Sequence, residues 1–173
     1  MSTQQRERER VIRWTDPLAT SQRLRALSGI DGLRAIISGA IDAPPIAHLI
    51  GFHFASVENG TVCAKLLPDE SHYNPIGMVH GGVIATLLDT VVGCAVQSTL
   101  PAERAYTTLS LNVSYIRAIT LATGEVTATG TIVHGGRTTA IAHGEIRDAS
   151  GRLLASAETT CLIFAAPVAQ CDA

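Results

Sequence analysis

Residues Asn74 to Asp89 read NPIGMVHGGVIATLLD, and their types could support attack on an activated carbonyl. His80-Gly81-Gly82 opens a long apolar run. Glycines at the start of a helix let a ligand approach the backbone without a Cβ in the way. The first N–H groups of a helix lack intrahelical partners, and with the helix dipole they can hold a developing oxyanion. Taken alone, the same glycines could simply make a turn. Asp89 is the only charged residue in VIATLLDTVVGCAV. Burying a carboxylate there is costly without partners, and Asp is a mediocre helix former. Either a facing arginine pairs with it, or it is an active-site base or nucleophile.

Spacing adds a constraint. Gly81 and Asp89 are eight residues apart, or about 12 Å along one helix. An oxyanion donor and a base must each come within about 3 Å of the reacting atoms. One helix cannot readily supply both to one substrate. If both act, they come from different chains, and the active unit is at least a dimer.

The elements that must position these groups follow from periodicity. Val83 to Val96 carries apolar residues at i, i+4 spacing around most of its circumference and should form a largely buried helix. Before it, 49–57 and 61–67 read as strands joined at Glu58-Asn59-Gly60, a strong hairpin signal. After it, 108–116, 125–134, 137–147 and 152–164 read as strands of an antiparallel meander. In the first of these, Leu109, Leu111, Val113 and Tyr115 should face one way, and Thr108, Ser110, Asn112 and Ser114 the other. One buried helix with strands on both sides in sequence predicts an α+β fold, a sheet curled around the helix.

The flanks differ from this core. Residues 1–45 are expected to form an N-terminal extension, 46–166 the main domain and 167–173 a tail. The first ten residues are charged and expected to fray. Leu24, Leu27, Leu33, Ile36 and Ile37 suggest one or two short helices interrupted at Gly29 and Gly32, and Pro44-Pro45 should stop any helix. The formal net charge of -2 lacks the clustered basic residues of nucleic-acid binding. The four cysteines show no C-x-x-C pairing, so neither a disulfide scaffold nor a zinc site is expected. No signal-peptide pattern or long apolar span is legible, so a cytoplasmic chain without a membrane partner is expected.

Asn74, Gly77, His80-Gly81-Gly82 and Asp89, followed by TTLSLNVSYIRA and GGRTTAIAHGEIRDASGRLLASAETT, resemble the hotdog-fold thioesterases, in particular the phenylacetate-pathway branch. The likeness covers roughly residues 48 to 164. It implies a hotdog fold and hydrolysis of an aryl- or medium/long-chain acyl-CoA by a homodimer or a tetramer of paired dimers, with no cofactor or metal. Asp89 would activate water or attack the thioester. The Gly81 N–H, with Gly82, would hold the oxyanion, and Asn74 would bond near the thioester or the water. Thr108 would stand beside the carboxylate on the polar face of its strand, and His80 would orient the loop. Coenzyme A would run along Tyr115, Ile116 and Arg117 and the turn His134, Gly136, Arg137 and Thr138, with Arg117 and Arg137 meeting phosphate unless they are solvated turn residues. Two other functions fit less well. A hydratase or dehydratase would use a histidine such as His72, and a non-catalytic acyl-CoA-binding module would have no need of Asp89.

Overall fold

The computed structural model describes residues 7–166. The expected tail at 167–173 and the first six residues lie outside that span. Three short helices come first: α1 (Pro17–Arg25), α2 (Gly29–Ile37) and α3 (Pro45–Ile50). Asp16 caps α1 by accepting the Leu18 N–H at 2.8 Å, and Ser28 caps α2 by accepting the Asp31 N–H at 3.3 Å. Two strands, β1 (Phe52–Glu58) and β2 (Thr61–Leu66), precede the long helix α4 (Gly81–Gln97). Four more strands follow: β3 (Arg104–Tyr115), β4 (Val126–Gly135), β5 (Thr139–Arg147) and β6 (Leu153–Ala165).

All six strands form one antiparallel sheet in the order β1-β2-β4-β5-β6-β3, and α4 packs on its inner face. Leu87, Leu88, Val91, Val92 and Val96 are fully buried there, against Val62, Val126 and Ile146 from the sheet. The expected α+β hotdog architecture is the one observed.

Four local expectations are corrected. The strands after α4 are not a simple meander, because β3 crosses to the far edge beside β6 and β4 returns to pair with β2. Pro45 begins a helix rather than stopping one, since its missing N–H costs nothing at a first helical position. That helix takes Leu49 and Ile50 from the expected first strand. Residues 8 and 10 are not loose: Arg8 pairs with Glu70 at 2.5 Å, and Arg10 donates to Ser71 Oγ at 3.1 Å and to the His48 carbonyl at 3.3 Å.

Two glycines set how closely α4 lies on the sheet. Gly130 and Gly144 face each other on β4 and β5. A Cβ on Gly130 would stand 2.2 Å from the Val91 carbonyl oxygen, and one on Gly144 would stand 2.6 Å from Val92 Cγ1. The obstacle at Gly130 is helix backbone, which cannot rotate away. Gly130→Ala should therefore destabilise by about 3 kcal/mol, lowering the midpoint of thermal unfolding by roughly 6–12 °C. An unchanged midpoint would mean that α4 is free to rise off the sheet.

Candidate active site

The chain reaches α4 through a loop held by its own side chains. The buried ring of His72 accepts the Asp69 N–H at Nδ1 (3.0 Å), and its Nε2 lies 3.4 Å from the Arg10 guanidinium. The His72 carbonyl accepts the His80 N–H at 2.8 Å. Asn74 Oδ1 accepts the N–H groups of Ile76 (3.1 Å) and Met78 (3.3 Å). Gly77, at φ +82, makes the turn between them.

His80 is the N-cap of α4, and its Nδ1 accepts the Gly82 N–H at 2.9 Å. This corrects one expectation: the Gly82 N–H is spent on the cap and is not offered to an oxyanion. The Gly81 N–H has no hydrogen-bond partner among the described residues. Tyr115 closes over this end, donating its hydroxyl to the Gly81 carbonyl at 3.1 Å.

Asp89 sits half-buried in the middle of α4, where Thr108 Oγ1 donates to its Oδ1 at 2.9 Å. A β-bulge makes that contact. Thr108 pairs with Cys161 and Ser110 with Thr160, which leaves Leu109 as the extra residue, 58% exposed. The bulge shifts the alternation of β3 by one. Thr108 therefore faces the helix with Leu111 and Val113, not the opposite face as strict alternation required. No arginine or lysine lies within ion-pairing distance of Asp89 among the described residues, so the facing-arginine alternative has no partner.

Sequence reasoning missed the rest of this patch. Tyr106 packs so tightly on Gly93 that a Cβ there would stand 2.3 Å from its hydroxyl. Burial raises the Cys94 thiol to about 12, with the nearby Asp89 charge adding to the rise and a hydrogen bond from Tyr106 opposing it. Burial also raises the Cys161 thiol and lifts the Tyr106 phenol well above its usual range. At both cysteines burial disfavours the thiolate that a nucleophile requires. No pattern in the sequence singles these residues out, because Tyr106 and Cys161 come near Asp89 only through the packing of β3 and β6 on α4.

The remaining candidates fall into two places. Asn74, Gly81, Tyr115, Ile116 and Arg117 line a cleft of about 290 Å³ at the N-terminal end of α4. Gly136 and Arg137 line a groove of about 460 Å³ beyond its C-terminal end, with Thr99 and Arg104. The exposed His134 follows a bulge in β4, and the Thr138 carbonyl accepts the Ile163 N–H at 2.8 Å. Within one chain Arg117 and Arg137 line different pockets. Arg117 donates to the Leu153 carbonyl at 2.6 Å, and the Arg137 carbonyl accepts from Arg104 at 3.1 Å.

Residues 76–155 match the family model of the thioesterase superfamily. A Halobacterium salinarum protein bearing an esterase name is 33% identical over 117 residues, covering 65% of this chain and 76% of its own. The chain belongs to the thioesterase superfamily. Human acyl-coenzyme A thioesterase 13 is 28% identical over 74% of this chain and 91% of its own length. A solved structure of a phenylacetic acid degradation-related protein from Ralstonia eutropha matches with a TM-score of 0.69 and 26% identity, covering 75% of this chain and 98% of that one. The family resemblance of the HGG and Asp89 segment is thus borne out, and thioester hydrolysis is the reaction the site has to explain. The matched family segment begins after α1, α2 and α3. No described helix is long and apolar enough to cross a membrane.

Proposed function

We propose that this thioesterase hydrolyses an aryl- or medium/long-chain acyl-CoA to the free acid and coenzyme A, at a site shared by two chains. One observation carries the reading. Among the described residues Asp89 accepts from Thr108 alone and has no cation beside it, while the Gly81 N–H, which has no partner among them, lies about 12 Å away on the same helix. The Gly81 N–H of one chain stabilises the oxyanion. Asp89 of the other either takes the proton of the attacking water or attacks the thioester carbon to give an anhydride that water then cleaves. In both routes the thiolate of coenzyme A leaves and is protonated. Thr108 holds Asp89 in its rotamer, and His80 aims the first turn of α4 as its cap. Asn74 commits its carbonyl oxygen to the loop, so its amide N–H groups are what it can offer the thioester or the water.

The two-chain site also bears on coenzyme binding. A two-fold axis that sets Gly81 of one chain beside Asp89 of the other must run the two α4 helices antiparallel. The C-terminal end of one α4 then lies on the same side as the N-terminal end of the other. Arg117 of one chain and Arg137 of the second thereby flank one path, which neither chain provides alone.

The reading is tested by following coenzyme A release across acyl-CoAs of differing chain length and ring content, with crotonyl-CoA hydration measured beside it. Hydration without hydrolysis would favour the dehydratase alternative, against which His72 is already packed into the loop. Failure to release coenzyme A from any acyl-CoA would sink the proposal. Arg137→Ala should raise KM for the full acyl-CoA several-fold more than for the matching acyl-pantetheine, which lacks the nucleotide phosphates. Equal changes for both substrates would make Arg137 a support of the fold instead.

A further inference from the structure

We infer a second ligand site, built by the N-terminal helices, for a carboxylate carrying a medium or long hydrocarbon chain. A cavity of about 430 Å³ lies between α1, α2, the end of α4 and the ends of β3 and β6, a size in the range of small-molecule sites. Leu24, Leu27, Leu33, Ile36, Ala105 and Phe164 line it. One wall is fixed and the other is loose. Gly29 donates its N–H to the Leu100 carbonyl at 2.9 Å, and a Cβ there would stand 1.7 Å from the Gln97 carbonyl oxygen, so α2 abuts the backbone at the end of α4. By contrast α1 buries none of its residues, and Leu24 is only half-buried. An apolar chain in the gap would remove this surface from water.

Charge identifies the other end of the ligand. Arg25 and Arg104 line the cavity, and Arg104 continues into the groove beyond α4 that it shares with Arg137. Among the described residues none of these three arginines is in an ion pair. Arg25 and Arg104 are the charged residues in the cavity lining, and Glu103, next to Arg104 in sequence, is exposed and in no ion pair among the described residues. A largely apolar chamber whose lining includes two arginines outside any described ion pair fits a single-chain amphiphile with an anionic head. The cavity is separate from the hydrolytic site. Gln97, in its wall, is eight residues or about 12 Å beyond Asp89 on α4, and Tyr106 covers Gly93 midway. The inference rests on the proposed function only in that the ligand belongs to the chemical class of its product.

The test is titration calorimetry of the full chain with dodecanoate. One equivalent per chain should bind, and binding should persist in Asp89→Asn and in the presence of saturating coenzyme A. Ser21→Trp adds bulk from an exposed position in the cavity wall, where Ser21 makes no side-chain hydrogen bond among the described residues. It should weaken dodecanoate at least about tenfold, as should Arg25→Gln combined with Arg104→Gln, each lost charged hydrogen bond being worth a factor of that order. Dodecanol should bind correspondingly more weakly than dodecanoate. Acyl-CoA hydrolysis and oligomer size should be those of the wild type in Ser21→Trp.

Unchanged dodecanoate binding in Ser21→Trp would overturn the inference, since the acid would then occupy the hydrolytic site. Displacement by coenzyme A would overturn it too, because the arginines would be reading the coenzyme's phosphates. A smaller oligomer in Ser21→Trp would show that a second copy fills the cavity. Selective loss of long-chain hydrolysis in that variant would make the cavity part of the substrate site. Absence of hydrolysis by the wild type sinks the proposed function and leaves the dodecanoate result standing.

Discussion

Asp89→Asn should lose most hydrolysis, on the order of 10²–10⁴ in kcat, while acyl-CoA still binds. The substitution preserves size, and the new amide oxygen can still accept the Thr108 hydroxyl that now donates to Oδ1 at 2.9 Å. What is lost is the negative charge that takes a proton from water or attacks carbon. Among the described residues no arginine or lysine pairs with Asp89, so none would be left without a partner. The variant should therefore fold at least as well as the wild type, since a half-buried carboxylate has been neutralised. Near wild-type kcat would remove Asp89 from the mechanism. A large fall in the unfolding midpoint would instead make it a structural group.

The second large effect is recovery of activity when two inactive variants are mixed. Gly81→Pro deletes the unpartnered N–H at the first position of α4, where proline is tolerated. His80 already has ψ 137, the extended conformation that a residue before proline prefers. The new ring would meet Tyr115, 3.3 Å from an ideal Cβ, and that side chain is exposed and can yield. Alone this variant should be slow for want of the oxyanion donor, as Asp89→Asn is slow for want of the base. After unfolding and refolding together, about half the dimers should be mixed by random pairing. Each mixed dimer holds one site with an intact Gly81 from one chain and an intact Asp89 from the other. Its second site is doubly defective, so activity should return to roughly a quarter of the wild-type value. The control is that each variant alone forms oligomers of normal size. If verified exchange yields only the average of the two poor variants, each chain holds a complete site and the two-chain geometry fails.

Much of this molecule was legible in its residues because period and punctuation are local properties. The i, i+4 stripes of Val83 to Val96 demanded a buried helix, and Asn59-Gly60 demanded a hairpin. A lone carboxylate within that helix could be singled out because its burial has a cost that any neighbourhood must meet. The rise per residue of a helix was enough to separate Gly81 from Asp89. Other features depend on what meets across space, and no local pattern encodes them. Strict alternation assigned Thr108 to the wrong face, because a single-residue bulge at Leu109 reverses the phase of β3 and costs no special residue type. The Gly82 N–H looked as available as that of Gly81 until the His80 ring was seen to fold back onto it. Gly29 read as a helix interruption, although its purpose is to let α2 touch the backbone of α4. Arg117 and Arg137 line pockets at opposite ends of α4, a separation within the chain that no local pattern reports. The sequence by itself determined the long helix and most strands, the lone carboxylate within that helix and the family, since each follows from residue types at fixed short spacing. Only the tertiary structure decided which N–H is free, what touches Asp89 and where the cavities lie, because those depend on strand order and the phase of a bulge.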